Sequence, residues 1–175
     1  LRSLAFNLAF YVWTALMVLL CVPLLVGPSS GIVGGQRRWA SGVVRLQRLL
    51  AGTDIEIRGR DRIPPGPVIV ASKHQSTWDT LIYHKILDDP AIVLKKELLK
   101  IPIYGAYCKK AEMISVDRQG GSKALRAMLQ AGRDAATKER PLVIFPQGTR
   151  TAPGASGPYQ PGAAAFYKDL KVPVV

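Results

Sequence analysis

The chain has 175 residues, which is enough for one domain with an appendage. It carries 24 basic and 12 acidic residues, and the net charge of +12 implies an anionic partner: nucleic acid, an anionic membrane surface or a phosphorylated substrate. We expect no nucleic acid, because no zinc-finger, RNA-binding or helix-turn-helix pattern occurs. The only cysteines, Cys21 and Cys108, make neither a disulfide framework nor a metal site, so we expect a reducing, cytoplasmic environment and no metal cofactor.

The N-terminal segment is almost wholly apolar from Leu4 to Val26, interrupted only by Asn7 and Thr14. A helix of this length, rising about 1.5 Å per residue, can cover a hydrocarbon core of about 30 Å. A cleaved signal peptide fits poorly because no A-x-A-like site follows, and a buried core helix fits poorly because no polar face exists. We therefore predict a membrane-anchoring helix. Its length leaves open whether it crosses the bilayer or enters one leaflet.

A basic helix is predicted beyond Gly27–Gly31, a stretch rich in glycine, proline and serine that should end the first helix. Residues Gly35–Leu50 mix arginine with apolar side chains, which suits a helix at a headgroup surface. Positive charge after an apolar segment favours an inner (cytoplasmic) membrane location with the remaining chain facing the cytoplasm. We assign residues 1–50 to a membrane anchor and 51–175 to a second domain, which we expect to continue beyond this chain. The arginines of the basic helix are Arg37, Arg38, Arg45 and Arg48.

Short apolar runs alternate with helical stretches through the second domain. This alternation predicts an α/β fold with a mostly parallel sheet flanked by helices. In such folds the loops at the carboxyl ends of the strands form the active site. Ser122 is expected to cap the last helix, which ends before Pro141. The predicted strands are Asp54–Ile57, Pro67–Ala71, Ala91–Leu94, Met113–Val116, Leu142–Phe145 and Val172–Val175, and the predicted helices are Thr77–Leu87, Glu97–Cys108 and Ser122–Lys138.

Polar side chains suited to catalysis and anion binding follow three of the predicted strands. His74 and Asp79 can form a hydrogen-bonded general-base pair if His74 precedes the helix and Asp79 folds back from its first turn. Arg118 and Arg150 directly follow apolar runs, and a guanidinium group matches phosphate oxygens. The plainer interpretation is an ordinary loop histidine, a carboxylate favoured by the helix dipole and two surface arginines. His84, the only other histidine, is expected to be structural or exposed.

Four motifs in order resemble the glycerolipid acyltransferase family, most closely its members that acylate lysophosphatidic acid. They are HQSTWD (His74–Asp79), KKELLKIPIYG (Lys95–Gly105), ISVDR (Ile114–Arg118) and FPQGTR (Phe145–Arg150). A histidine and an aspartate at this spacing are common by chance, whereas four ordered motifs are specific. The resemblance spans about Val68–Val175.

The resemblance implies that a fatty acyl group moves from acyl-CoA or acyl-carrier protein, as co-substrate, to the free hydroxyl of lysophosphatidic acid at a membrane lipid surface. No other cofactor is implied. His74 would be the general base and Asp79 its orienting carboxylate, with no serine or cysteine nucleophile. The family also implies an N-terminal helical pair anchored in one leaflet. The residues to which it gives acceptor binding are Arg118, Gln147, Gly148, Thr149 and Arg150.

Gln147 departs from the family pattern, which usually has glutamate at this position. Glutamine retains hydrogen bonding but loses a charge, so the acceptor could instead be a lysophospholipid, a lyso-aminolipid or glycerol 3-phosphate. A non-catalytic protein that binds anionic lipid and a thioesterase are further alternatives. The apolar residues of the second motif suit an acyl channel or helix-to-sheet packing, of which we expect packing. They are Leu98, Leu99, Ile101, Ile103 and Tyr104.

Overall fold

The computed structural model describes residues 1–155 and 157–175. Within these residues the fold has four strands and six helices of seven residues or more. Single helical turns lie at Val22–Leu25, Gln47–Ala51, Arg60–Arg62 and Lys96–Lys100. The longer elements are α1 (Arg2–Leu20), α2 (Ser29–Leu46), β1 (Ile69–Ala71), α3 (Trp78–Ile86), β2 (Ala91–Lys95), α4 (Tyr104–Lys110), β3 (Ile114–Val116), α5 (Gly121–Thr137), β4 (Leu142–Ile144) and α6 (Gly162–Leu170).

The four strands form one sheet in the order β1-β4-β2-β3, and every pair is parallel. Val174 and Val175 lie beside β1, where Val175 both donates to and accepts from its neighbours on that strand, so the last predicted strand is present as a short bridge. Parallel strands place all their carboxyl ends along one edge of the sheet. The predicted α/β fold with a mostly parallel sheet is confirmed.

Both faces of the sheet are covered, which explains the continuous apolar strand sequences. On one face, Met128 of α5 and Phe166 of α6 pack against Ile69, Leu142 and Ile144. On the other face, Tyr83 and Ile86 of α3 pack against the alternate strand residues. β4 is buried along its whole length, as expected for a central strand.

The N-terminal helices form an antiparallel pair that stacks on α3. Val43 of α2 and Leu81 of α3 share a buried cluster, against which Trp13 of α1 packs. The pair is also hydrogen-bonded, because the Trp13 indole donates to the Trp39 carbonyl and the Trp39 indole donates to Thr14 Oγ1 (both 3.0 Å). α2 is thus enclosed between α1 and α3, rather than lying free as a surface helix, although its three arginines and Arg48 in the following turn are exposed.

The outer side of α1 is apolar and exposed, and among the described residues α1 is the one helix long and apolar enough to cross a membrane. Its mean hydropathy over an 18-residue window is 1.8. This statement rests on length and composition. The exposed large apolar residues of α1 are Leu4, Leu8, Tyr11, Val12, Leu16, Leu19 and Leu20.

Several predicted boundaries are wrong. Asp54–Ile57 forms no strand, and Ser29–Gly31 belongs to α2, so the break between the first two helices is shorter than predicted. Ser122 lies inside α5, and the residue before that helix is Gly120, with no side-chain cap. The predicted helix at Glu97–Cys108 is divided into a turn at Lys96–Lys100 and α4.

Two features were not predicted from the sequence. α6 is a short helix rich in glycine and alanine, and its place in the core depends on Phe166. Arg140 is buried, and its guanidinium donates to Asp89 Oδ1 (2.9 Å) and to the carbonyls of Ala111 and Asp89. It joins the loops at the amino-terminal edge of the sheet, opposite the predicted site.

Candidate active site

The predicted site residues gather at the carboxyl edge of the sheet, here called the rim. His74 lies three residues after β1, Lys96 directly after β2, Arg118 two residues after β3, and Gln147 three residues after β4. Two hydrogen bonds link the loops across the rim: Lys96 donates to Asp117 (3.3 Å), and Arg118 donates to the Gly148 carbonyl. The parallel sheet therefore brings together residues that are far apart in the sequence.

His74 and Asp79 are in contact. His74 lies in the loop before α3, Asp79 is the second residue of that helix, and His74 Nδ1 is 3.2 Å from Asp79 Oδ2. The same carboxylate oxygen accepts backbone N–H groups from Gln75 (2.5 Å) and Ser76 (2.7 Å), which folds the loop around it. This is the geometry that a spacing of five residues requires for a pair at a helix start.

The electrostatic environment keeps Asp79 ionised. Burial alone raises the pKa of the carboxyl, but the N–H groups of Ser76 and Gln75 and the His74 ring outweigh burial, and the pKa of Asp79 lies below its ordinary value. An ionised carboxylate can only accept, so Nδ1 of a neutral His74 carries the proton. Nε2, on the far side of the ring, is then the basic nitrogen.

The His74 ring is also held by packing. Its centroid is 4.4 Å from that of Phe145, at an interplanar angle of 31°, and its side chain is 15% exposed. The His74 carbonyl accepts the Thr151 N–H (2.8 Å) and lies 3.3 Å from the Thr151 hydroxyl. Phe145 is the first residue of the FPQGTR motif and Thr151 directly follows the motif. Neither role was predicted.

The FPQGTR loop is a tight turn that requires glycine. Gly148 has φ of +66°, and its N–H donates to the Phe145 carbonyl (2.8 Å). A Cβ at Gly148 would lie 3.2 Å from Gln160 Cγ, so both the backbone conformation and the space favour glycine. The Gly148 carbonyl accepts a hydrogen bond from the Arg118 guanidinium. This bond brings Arg118 next to the loop that carries Arg150, the other arginine predicted to bind an anion.

Gln147 is the most enclosed polar side chain of the rim, at 6% exposure. Within residues 1–155 and 157–175, its Oε1 is buried and accepts no hydrogen bond. A buried amide oxygen without a donor costs free energy, so this atom is placed to accept a hydrogen bond from a bound molecule or from a rearranged neighbour.

The other predicted residues of the loop are more accessible, because Thr149 and Arg150 are exposed at its tip. Lys73, next to His74 in the chain, donates to the Ala155 carbonyl (2.8 Å). His84 lies on α3, away from the rim, where burial lowers its pKa to about 4. A crevice of about 250 Å³ that includes Ile63 and Pro141 lies at the opposite edge of the sheet.

No group of three or more histidine, cysteine, aspartate or glutamate side chains in the described part of the chain is arranged to hold a metal ion.

Comparison with known proteins identifies the family. The sequence model of the family described as Acyltransferase matches residues 54–175, which include every residue of the rim. The chain belongs to the acyltransferase family.

The chain is similar to curated members of the family in bacteria and animals. It is 33% identical over 139 residues to the 1-acyl-sn-glycerol-3-phosphate acyltransferase of Pseudomonas aeruginosa, covering 79% of this chain and 54% of that protein. It is 30% identical over 177 residues to the human 1-acyl-sn-glycerol-3-phosphate acyltransferase alpha, covering 97% of this chain and 60% of the human protein. The chain thus spans little more than half the length of these relatives.

A solved structure shares the fold of this chain. The crystal structure of the 1-acyl-sn-glycerophosphate acyltransferase of Thermotoga maritima aligns with a TM-score of 0.75 and 19% identity, covering 99% of this chain and 73% of that one. The alignment includes the N-terminal helical pair as well as the sheet.

Proposed function

We propose that this protein transfers a fatty acyl group from acyl-CoA or acyl-carrier protein to the free hydroxyl of 1-acyl-sn-glycerol 3-phosphate, which makes phosphatidic acid. The observation that carries the proposal is the contact of His74 Nδ1 with an ionised Asp79, beside an arginine-bearing loop. The names of the similar proteins support the choice of acceptor.

In this mechanism His74 acts as a general base. Nε2 takes the proton of the acceptor hydroxyl as its oxygen attacks the thioester carbonyl, so that a C–O bond forms and the C–S bond breaks. The imidazolium then gives the proton to the departing thiolate sulfur. Asp79 holds the ring in the required tautomer and stabilises its charged form, while stacking on Phe145 limits rotation of the ring.

The acceptor phosphate is proposed to bind between Arg118 and Arg150. Arg118 uses part of its guanidinium to hold the Gly148 carbonyl, and the rest of its five donors remain for phosphate oxygens. Arg150 and Thr149 are exposed at the tip of the same loop. The backbone turn at Gly148 brings these groups towards the base.

We also propose that the two parts of the chain have different roles. Residues 1–50 anchor the protein to the inner (cytoplasmic) membrane, and residues 51–175 hold the catalytic rim on its cytoplasmic side. The exposed apolar side of α1 supports this assignment. The acyl donor is a co-substrate, and no bound cofactor is required for a direct transfer.

The decisive experiment compares the two histidines. We expect His74→Ala to lower acyl transfer about 10²–10⁴-fold, because the base is lost, while His84→Ala, the matched control on α3, retains near-normal transfer. Circular dichroism and vesicle binding should be unchanged in both variants. Near-normal turnover by a folded His74→Ala protein would exclude the proposed base.

A second candidate function keeps the chemistry and changes the acceptor. Gln147 is neutral and enclosed where the family has glutamate, so the site could prefer a lysophospholipid, a lyso-aminolipid or glycerol 3-phosphate. Transfer assays with each acceptor and both donor types decide between them. Arg150→Ala should then raise the KM of the preferred acceptor at least tenfold and leave the donor KM almost unchanged, if Arg150 binds phosphate.

A further inference from the structure

A second apolar surface lies at the rim, separate from α1. It is the turn Ile101–Tyr104, called here the rim turn, in which four consecutive apolar residues are exposed. Ile101 is 47% exposed, Ile103 39% and Tyr104 43%. The expectation that these three side chains pack between helix and sheet is therefore wrong.

The backbone holds the rim turn in an unusual conformation. Ile103 has φ of +62° and ψ of −54°, and the Tyr104 N–H donates to the Pro102 carbonyl (2.6 Å), which together define a γ-turn of the rare, strained kind. The following Gly105 is buried, and a Cβ there would lie 2.1 Å from the Leu99 carbonyl oxygen. Backbone strain of this kind is found mainly at functional positions. Here the strained turn keeps apolar side chains exposed to solvent.

Exposed lysines precede the rim turn in the chain. The segment that leads into the turn carries three exposed lysines, which are Lys95, Lys96 and Lys100. Lys96 also forms a partly exposed ion pair with Asp117. An apolar tip with cationic neighbours has the chemistry of a segment that enters the headgroup layer of an anionic membrane.

The rim turn lies close to the carboxyl-terminal end of α1. Tyr104 begins α4, and Tyr107, about 4.5 Å further along that helix, donates its hydroxyl to the Val18 carbonyl of α1 (2.5 Å). Leu16 and Leu19, which flank Val18, are exposed. A lipid surface that covered the exposed residues at this end of α1 would lie near the rim turn, and this favours lipid over a second copy of the chain as the occupant.

We propose that the rim turn inserts into the headgroup layer of an anionic membrane as a second contact, and so sets the rim against the surface from which the acceptor comes. The part of this inference that concerns the acceptor rests on the proposed function. The insertion itself does not, because it follows from the exposed side chains, the strained turn and the lysines.

The first test measures insertion without activity. A fluorophore sensitive to polarity is attached at Ile101→Cys in the full chain with Cys21→Ala and Cys108→Ala, and the matched control carries it at Tyr167→Cys, an exposed site on α6 across the sheet. In vesicles of phosphatidylcholine and phosphatidylglycerol, the label at 101 should shift to the blue and be quenched by nitroxide lipids, and the label at 167 should do neither. Equal exposure to water at both sites would overturn the proposal.

Other occupants give different results. Protection of the label at 101 in detergent, rising with protein concentration, would indicate a second copy, and protection only after addition of acyl donor would indicate an acyl channel. Either outcome without quenching by lipid overturns insertion.

The second test uses unlabelled variants and acyl transfer. Ile101→Ser with Ile103→Gly should lower kcat/KM for acceptor presented in vesicles by about tenfold, as expected for two half-exposed side chains, and leave kcat/KM for a soluble short-chain acceptor unchanged. Tyr167→Ser should change neither. An equal loss for both acceptors would overturn the proposal, whereas failure of all transfer would disprove the proposed function and leave the labelling result to decide insertion.

Discussion

At the scale of single residues, Asp79 combines a structural role with the proposed catalytic one. One of its carboxylate oxygens accepts two backbone N–H groups and contacts the His74 ring, so the residue proposed to orient the base also shapes the loop that carries His74. The two roles can be separated, because they depend differently on the charge of the carboxylate.

Asp79→Asn should lower acyl transfer strongly, by about 10²-fold or more, because asparagine neither stabilises an imidazolium nor selects the same tautomer. The fold lowers the pKa of Asp79 below its ordinary value. The charged carboxylate therefore stabilises the fold fully above about pH 4, the pKa of an unfolded aspartate. This stabilisation is lost as the pH falls through the lower pKa of the folded state. Denaturant unfolding at neutral and acidic pH measures this. The gap in stability between wild type and Asp79→Asn should shrink in acid, and a gap that widens would contradict the assignment.

Gln147 offers a test of function against packing. Because its Oε1 is enclosed and accepts no hydrogen bond within the described residues, Gln147→Leu should leave the free energy of unfolding within about 1 kcal/mol of wild type or raise it. Acyl transfer should nevertheless fall at least tenfold if the amide binds acceptor. Gln147→Glu serves as the control that restores the family's residue, and we expect it to remain within about tenfold of wild type. Full activity of Gln147→Leu would exclude a role in binding.

At the scale of secondary structure, the strand sequences predicted the sheet well because buried parallel strands are continuously apolar. Asp54–Ile57 shows the limit of that signal: its alternation of acidic and apolar residues resembles a strand, but no strand of the sheet pairs with it, and Arg58 forms an ion pair with Glu56 instead. α6 was missed because its local sequence lacks a strong helical pattern, and the pairing of β4 between β1 and β2 depends on contacts that no local pattern encodes.

The candidate site was predictable only where its contacts are local in the sequence. His74 and Asp79 are close in sequence, so their contact follows from spacing. The bond from Arg118 to the Gly148 carbonyl and the bond from Thr151 to the His74 carbonyl join segments that lie 30 and 77 residues apart. Such contacts depend on strand order, which the sequence did not reveal.

The strained rim turn predicts an asymmetry between two neighbouring isoleucines. Ile103 has positive φ, whereas Ile101 has ordinary extended backbone (φ −67°, ψ 122°), and their exposures are similar. Glycine relieves strain at the first position and only adds flexibility at the second. Ile103→Gly should therefore cost about 1–2 kcal/mol less stability than Ile101→Gly, measured by denaturant unfolding. Equal losses would show that the γ-turn stores no strain.

At the scale of the whole molecule, the layers run from α1 through α2 and α3 to the sheet and then to α5 and α6. α1 is the outermost layer, and its packing on α2 leaves the opposite apolar side exposed. Since α2 already begins at Ser29, a deletion that removes only the first helix must end at Gly27.

If α1 anchors the protein as proposed, deletion of residues 1–27 should make the protein easier to remove from the membrane with high salt. The remaining attachment would depend on the small rim turn and on exposed arginines such as Arg45 and Arg48, and the attraction of the arginines decays over a Debye length of about 10 Å at 0.1 M salt. Sedimentation of vesicles after salt washes measures the effect, with the full chain as control. If the shortened protein resists salt as well as the full chain does, α1 is not the principal anchor.

The hydrogen bond between Thr151 and the His74 carbonyl has a consequence for how such proteins diversify. His74 and the FPQGTR loop are joined by this bond, so a substitution that reshapes the loop also shifts His74. A chimera that exchanges only one of the two loops with a relative would pair mismatched halves and lose turnover, whereas a chimera that exchanges both would keep it. If the FPQGTR loop binds the acceptor as proposed, acceptor preference would change through both loops together, and recombination with a breakpoint between the loops would be selected against.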